Sequence, residues 1–191
     1  MTAEKPSSDA IAFRPIGVIR SPFKSREDID PARNARPGGF AKVAGEIEVF
    51  PPYAAGLKGI DGFSHLIILF AFHRSQAGHL LVCPPFQTRR RGVFSTRSPR
   101  RPNPIGMTVV RLLGRKKNIL RVSGLDMLDG TPLLDIKPYT TKDSKRGVRR
   151  GWLEGRTENA KVIPATKFFK KPGIPAQKKK KSLSPERRNC N

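Results

Sequence analysis

Residues 45–50 read GEIEVF, and the alternation Glu46-Ile47-Glu48-Val49 puts acids on one side of an extended chain and branched apolar residues on the other. That pattern predicts a half-buried antiparallel strand. Working outward, short runs punctuated by Gly and Pro predict further strands at Pro15 to Arg20, Phe63 to Phe72, Gly92 to Thr96, Met107 to Leu113, Ile119 to Leu125 and Leu133 to Tyr139. No segment keeps a sustained helical period, and a turn around Ala54 to Leu57 is the only helical signal. The fold class is all-β, a barrel or a sandwich.

The domain plan follows from composition. Residues 1–11, rich in Ser, Ala and charge, read as a disordered lead, residues 12–155 as one β domain, and residues 156–191 as a flexible basic tail. The formal charge is +23; the segment from Pro164 to Asn191 carries +8 of it, which leaves the body strongly basic as well. A basic body predicts RNA, DNA or an anionic surface as partner. The longest apolar run, Leu66 to Phe72, is seven residues, too short for a membrane span, and the start MTAEKPSSDA does not have the pattern of a signal peptide. Cys83 and Cys190 are too few for a disulfide framework or a Cys-rich zinc site, so a cytoplasmic location is the default expectation. There is no G-x-G-x-x-G after a strand and no P-loop motif, so neither dinucleotide fold nor nucleoside-triphosphatase fold is supported.

Three segments carry candidate chemistry. The stretch Thr88 to Met107, TRRRGVFSTRSPRRPNPIGM, holds six arginines and no acid. Arginine forks grip phosphates and carboxylates, and here Pro and Gly hold them at strand ends and turns, with Phe94 read as an anchor. An ordinary solvated charged face is the competing reading. The segment Leu125 to Tyr139 places Asp126, Asp129 and Asp135, three of the fifteen acids, within ten residues of a basic chain. Asp129-Gly130 alone is a hairpin-turn signal, whereas the acids together suit a cationic or hydroxyl-bearing ligand. In the loop Asp30 to Gly39, glycines would let a ligand approach the backbone. His65 and His73 lie eight residues apart, on one face if the strand is continuous but about 26 Å from each other, so one metal ion cannot take both and no metal is expected.

Together these segments resemble the TsaA-like family, the tRNA methyltransferase O (TrmO) proteins. The resemblance spans roughly Phe13 to Gly155 and rests on IGVIRSPF, GIDGFSHLIILFAFH, GVFSTRSPRRPNPIGM and GLDMLDGTPLLDIKPY. It implies a single TsaA-like β-barrel domain, a homodimer, S-adenosylmethionine as cofactor and a threonine tRNA as substrate, methylated at N6 of N6-threonylcarbamoyladenosine at position 37. Carried onto this chain, it implies donor-binding roles for Pro37, Gly38, Gly39, His73, Arg74, Arg97, Leu128, Asp129, Gly130 and Thr131. Arg74 stands where a shorter polar residue is common, and longer relatives continue into a C-terminal domain where this chain has a basic tail. The transfer needs no metal, only positioning and a way for the N6 proton to leave. Asp135 and Tyr139 are candidate bases, and Asn103 could hold the carbamoyl group. Arg89, Arg90, Arg91, Arg100 and Arg101 are candidates for RNA, one of them for the threonyl carboxylate. Two other readings stand beside this one: a diverged methyltransferase of another substrate, and a non-enzymatic RNA-binding barrel.

Overall fold

The computed structural model of the protein describes residues 11–29, 39–76, 78–85 and 87–154. The lead, the loop positions Pro37 and Gly38, and the basic tail lie outside the described residues. Among the described residues eight strands form: β1 (Gly17–Arg20), β2 (Ala44–Val49), β3 (His65–Ala71), β4 (Leu81–Val82), β5 (Arg91–Gly92), β6 (Ile105–Lys116), β7 (Ile119–Ser123) and β8 (Thr131–Pro138). Six of them close into an antiparallel barrel in the order β1-β2-β7-β6-β3-β8, while β4 and β5 make a separate two-stranded ribbon. Ile47 and Val49 point into the barrel as the opening alternation predicts, beside Ile19, Leu66, Ile68, Val110, Leu120, Val122 and Leu133. Glu48 faces outward and meets Arg20 at 3.3 Å. Closure pairs every barrel strand on both sides, which removes the open edges that invite aggregation.

Phe70 fills the barrel only because β6 offers Gly106 opposite it. A Cβ there would stand 2.3 Å from the phenyl ring. Here glycine is a packing requirement.

The connections decide where a site can be. Strands β7 and β8 stand on opposite sides of the barrel, so residues 124–130 must cross its mouth. Leu125 and Met127 drop from that crossing into the core, at 0% and 3% exposure. Each such burial contributes about 1.5–3 kcal/mol. Asp129-Gly130 is therefore no hairpin turn, although Gly130 does take the left-handed conformation, at φ 73°. Strands β2 and β3 also stand opposite one another, and their connection closes the second mouth with a 3-10 turn, Pro51–Leu57, whose Leu57 is buried.

Two strand expectations need correction. Of the run Gly92 to Thr96 only Gly92 pairs, as the end of β5 (Arg91–Gly92); Val93–Ser95 is a 3-10 turn, because the paired ribbon partner ends at Leu81 and the chain must turn back. Strand β6 runs on to Lys116, past an irregularity between Leu112 and Gly114 that breaks the alternation visible in sequence.

Candidate ligand site at one mouth of the barrel

The mouth crossed by residues 124–130 is where β1, β3 and β7 end and β2, β6 and β8 begin. Leu128 to Thr131 is tied to the chain that leaves β1. Asp129 N–H donates to the Phe23 carbonyl at 2.7 Å, and Gly130 N–H donates to the Ile19 carbonyl at 2.9 Å. The Asp129 carboxylate accepts the Ser21 N–H at 3.1 Å and the Lys24 ammonium at 2.8 Å. The Lys24 bond, ahead of the Ser21 bond, holds this carboxyl below its ordinary pKa. Thr131 is buried and Ser21 Oγ donates to the Met127 carbonyl at 2.7 Å, so the whole segment is rigidly placed.

The neighbouring loops close around it. Phe40 packs edge-on against Phe23 at 5.9 Å, which brings the described end of the glycine loop, Gly39, to this mouth. Phe72 N–H donates to the Pro104 carbonyl at 2.7 Å, so His73 and Asn103 follow at adjoining strand ends. His73 lies two residues past the end of β3, and the eight-residue offset from His65 does not put the two on one strand face. Arg74 donates to the Lys24 carbonyl at 3.2 Å and so braces the loop after β1. Arg97 faces Asp126, whose charge it favours.

Asp126 belongs to the acidic patch read from the sequence but is given no role of its own there. It sits on the crossing between the two inserted side chains, hydrogen-bonded to Thr108, with a buried Oδ1 that has no partner among the described residues. Desolvation is the largest influence on it and raises its pKa above the ordinary 3.8; Thr108 and Arg97 oppose the rise. A buried acceptor without a donor is costly, and such groups concentrate at sites. The available signal was its isolation: no acid occurs between Asp61 and Asp126.

The arginine candidates occupy the excursion from β3 to β6. Arg91 lies over the Trp152 ring at 5.3 Å, Arg101 donates to the Thr96 carbonyl at 3.3 Å, and His79 N–H donates to the Arg100 carbonyl at 3.4 Å. Arg89 and Arg90 are exposed. Phe94 anchors nothing: it is 76% exposed, and its neighbour Val93, at 0%, is the anchor.

Asp135 and Tyr139 are not brought to this mouth. They belong to the far end of β8, where Asp135 lines a cavity of about 520 Å³ with Tyr53, Leu57 and Phe63. The Asp135 carboxylate is bound to Lys137 at 2.6 Å and to the Ile136 N–H at 2.8 Å. Tyr139 packs edge-on against His65 at 6.3 Å. Of the three catalytic candidates, Asn103 is the one that shares the mouth with His73 and Arg97. Among the described residues no three His, Cys, Asp or Glu cluster as a metal would require, and no helix is long and apolar enough to cross a membrane.

A closed six-stranded barrel whose β1–β2, β3–β6 and β7–β8 connections gather at one mouth defines a small β-barrel domain. The model of the tRNA-methyltransferase O N-terminal domain matches residues 18–144. A probable S-adenosyl-L-methionine-binding protein of Pyrococcus abyssi is 51% identical over 145 residues, covering 75% of this chain and 77% of that protein. The tRNA (adenine(37)-N6)-methyltransferase of Escherichia coli is 43% identical over 137 residues, 66% of this chain and 57% of the enzyme. A crystal structure of TrmO superposes with a TM-score of 0.60 at 38% identity, covering 74% of this chain and 64% of that one. The chain belongs to the tRNA-methyltransferase O family. It spans less than two thirds of the solved TrmO chains it matches.

Proposed function

We propose that this protein is an S-adenosylmethionine-dependent tRNA methyltransferase acting on N6 of N6-threonylcarbamoyladenosine at position 37 of threonine tRNA, as a cytoplasmic homodimer. The observation that carries the reading is the meeting, at one mouth, of matched donor positions with an excursion whose charges are all positive. Residues 62–125 contain no acid, which suits a polyanion, and the acids resume at Asp126, which suits a cationic donor. The mouth fits the donor's chemistry: Arg97 and Arg74 are cations for its carboxylate, and Asp126 and the Leu128–Thr131 segment are acceptors for its ammonium and ribose hydroxyls. Pro37 and Gly38 complete the donor set by family resemblance.

The bound donor supplies a methyl group on a sulfonium, which leaves as the bond electrons pass to sulfur. The protein's part is to hold N6 in line and take away its proton. Asn103, able to donate and accept, would fix the carbamoyl group, with Arg100 or Arg101 on the threonyl carboxylate and Arg89, Arg90 and Arg91 on phosphates. The N6 proton would pass to His73 or to water, since Asp135 and Tyr139 face the opposite mouth of the same subunit.

The homodimer has a physical basis in the outer face of β3 and β6. Leu69 stands opposite Met107, Ile67 opposite Val109 and Ala71 opposite Ile105, an apolar patch with Met107 54% exposed. Such patches mark association surfaces. Transfer of labelled methyl from S-adenosylmethionine to tRNA tests the enzymatic reading: incorporation into tRNA bearing the threonylcarbamoyl group and none into tRNA lacking it. Binding of tRNA with no incorporation into either would favour the non-enzymatic barrel.

A further inference from the structure

We infer that Phe94 is a stacking platform for an unpaired RNA base, set among arginines that hold the flanking phosphates. The inference rests on the reading of the protein as a tRNA-acting barrel and adds to it a contact made with a base face.

Phe94 sits at the centre of a turn that is over-determined for a surface feature. Val93 N–H donates to the Leu80 carbonyl at 2.9 Å, Thr96 N–H to the Val93 carbonyl at 3.0 Å, and Thr96 Oγ1 to the same carbonyl at 2.8 Å. Ser95 Oγ donates to the Gly92 carbonyl at 2.8 Å, and the Trp152 indole N–H donates to the Ser95 carbonyl at 2.8 Å. Val93 beneath is fully buried, yet the phenyl ring beside it projects into solvent. An apolar ring exposed on a flexible loop would mean little. Fixed at five points, it is presented in one place and loses little freedom when a flat partner covers it.

The surroundings choose the partner. Arg91 precedes the turn, held over Trp152, and Arg97 and Arg101 follow it, with Arg101 bonded to the Thr96 carbonyl. Leu80 and Leu81, 67% and 58% exposed, extend the apolar surface along the ribbon. An apolar protein partner would meet this ring only by burying Arg91 and Arg101, which among the described residues hold the Trp152 ring and the Thr96 carbonyl rather than an acid. A nucleic-acid strand meets both needs together, its phosphates on the guanidiniums and a base on the ring. Duplex RNA keeps its bases stacked inside, so the fitting form is a loop with a splayed base.

The test uses the full chain, an unmodified RNA hairpin with a seven-nucleotide loop, and the same stem closed as a continuous duplex. Phe94→Ala should weaken hairpin binding by about 5- to 150-fold, with the slope of log affinity against log salt unchanged because no phosphate contact is lost. Phe94→Tyr should retain affinity and Phe94→Leu should not, since stacking needs an aromatic face. Duplex affinity, melting temperature and S-adenosylmethionine binding should stay at wild-type values. Equal hairpin affinity for wild type and Phe94→Ala, or equal rescue by Leu and Tyr, would overturn the inference. So would a change of sedimentation from dimer to monomer with hairpin affinity intact, which would make the ring a contact between copies. A wild-type protein that binds the hairpin through Phe94 yet transfers no methyl to threonylcarbamoyl-bearing tRNA would sink the enzymatic reading and leave this one standing.

Discussion

The Asp129 carboxylate and the Lys24 ammonium stand 2.8 Å apart, 105 residues distant in sequence, and together they fasten the crossing at the barrel mouth to the chain leaving β1. Asp129 is thereby committed to the protein's own frame. Its Oδ1 is taken by the Ser21 N–H, which leaves only the remaining lone pairs for a ligand.

Asp129→Asn should therefore destabilise the fold by about 1–2 kcal/mol at neutral pH, the range for weakening a charge-assisted hydrogen bond at a partly exposed site. Because the native carboxyl titrates below its ordinary 3.8, its stabilisation is complete above that value and is lost as pH falls through the lowered one. Melting curves of the two proteins should differ at pH 7 and converge in acid. A constant gap down to low pH would show that the charge is not the cause.

Asp126 titrates in the opposite sense. Its native pKa is raised, so its contribution to stability is greatest below the ordinary value and diminishes as pH climbs through the raised one. Asp126→Asn should raise the melting temperature at pH 7, by less as the medium is acidified, while methyl transfer falls at least about ten-fold through loss of the charge beside Arg97. A variant that is more stable and fully active would assign Asp126 no part in the site.

Gly106→Ala places a methyl group against the buried Phe70 ring, which has nowhere to go inside a closed barrel. The expected loss is about 1–3 kcal/mol, the usual cost of overpacking, read from chemical denaturation. Gly106→Ala combined with Phe70→Leu should recover part of it. No recovery would place the strain elsewhere.

The strands were legible because a barrel imposes a period of two, and Ile47 and Val49 obey it between outward-facing acids. What the chain does between strands was less legible, for a physical reason. A glycine after an aspartate reports that the backbone can turn at Gly130, not which strands the turn joins, and here it joins two on opposite walls. The same limit hid the separation of Asp135 from Asp129: six residues along an extended strand is about 20 Å, enough to move a candidate base toward the other mouth. Phe94 illustrates a third limit. An aromatic between two polar segments reads as an anchor until burial shows that Val93 has taken that role.

Removal of residues 156–191 should lower tRNA affinity and flatten its salt dependence while leaving most of the turnover at saturating tRNA, because that segment is rich in Lys and Arg and the matched family region ends at residue 144. Arg100→Ala with Arg101→Ala should instead reduce the preference for threonylcarbamoyl-bearing tRNA. Loss of turnover on truncation with selectivity intact in the arginine variant would reverse these assignments.

Mass spectrometry of nucleosides from threonine tRNA, purified from a strain lacking this protein and from the same strain with it restored, tests the central claim most directly. The account predicts that N6-methyl-N6-threonylcarbamoyladenosine is absent in the first and returns in the second, with the unmethylated nucleoside accumulating in its place. Equal amounts of the methylated nucleoside in both would contradict it.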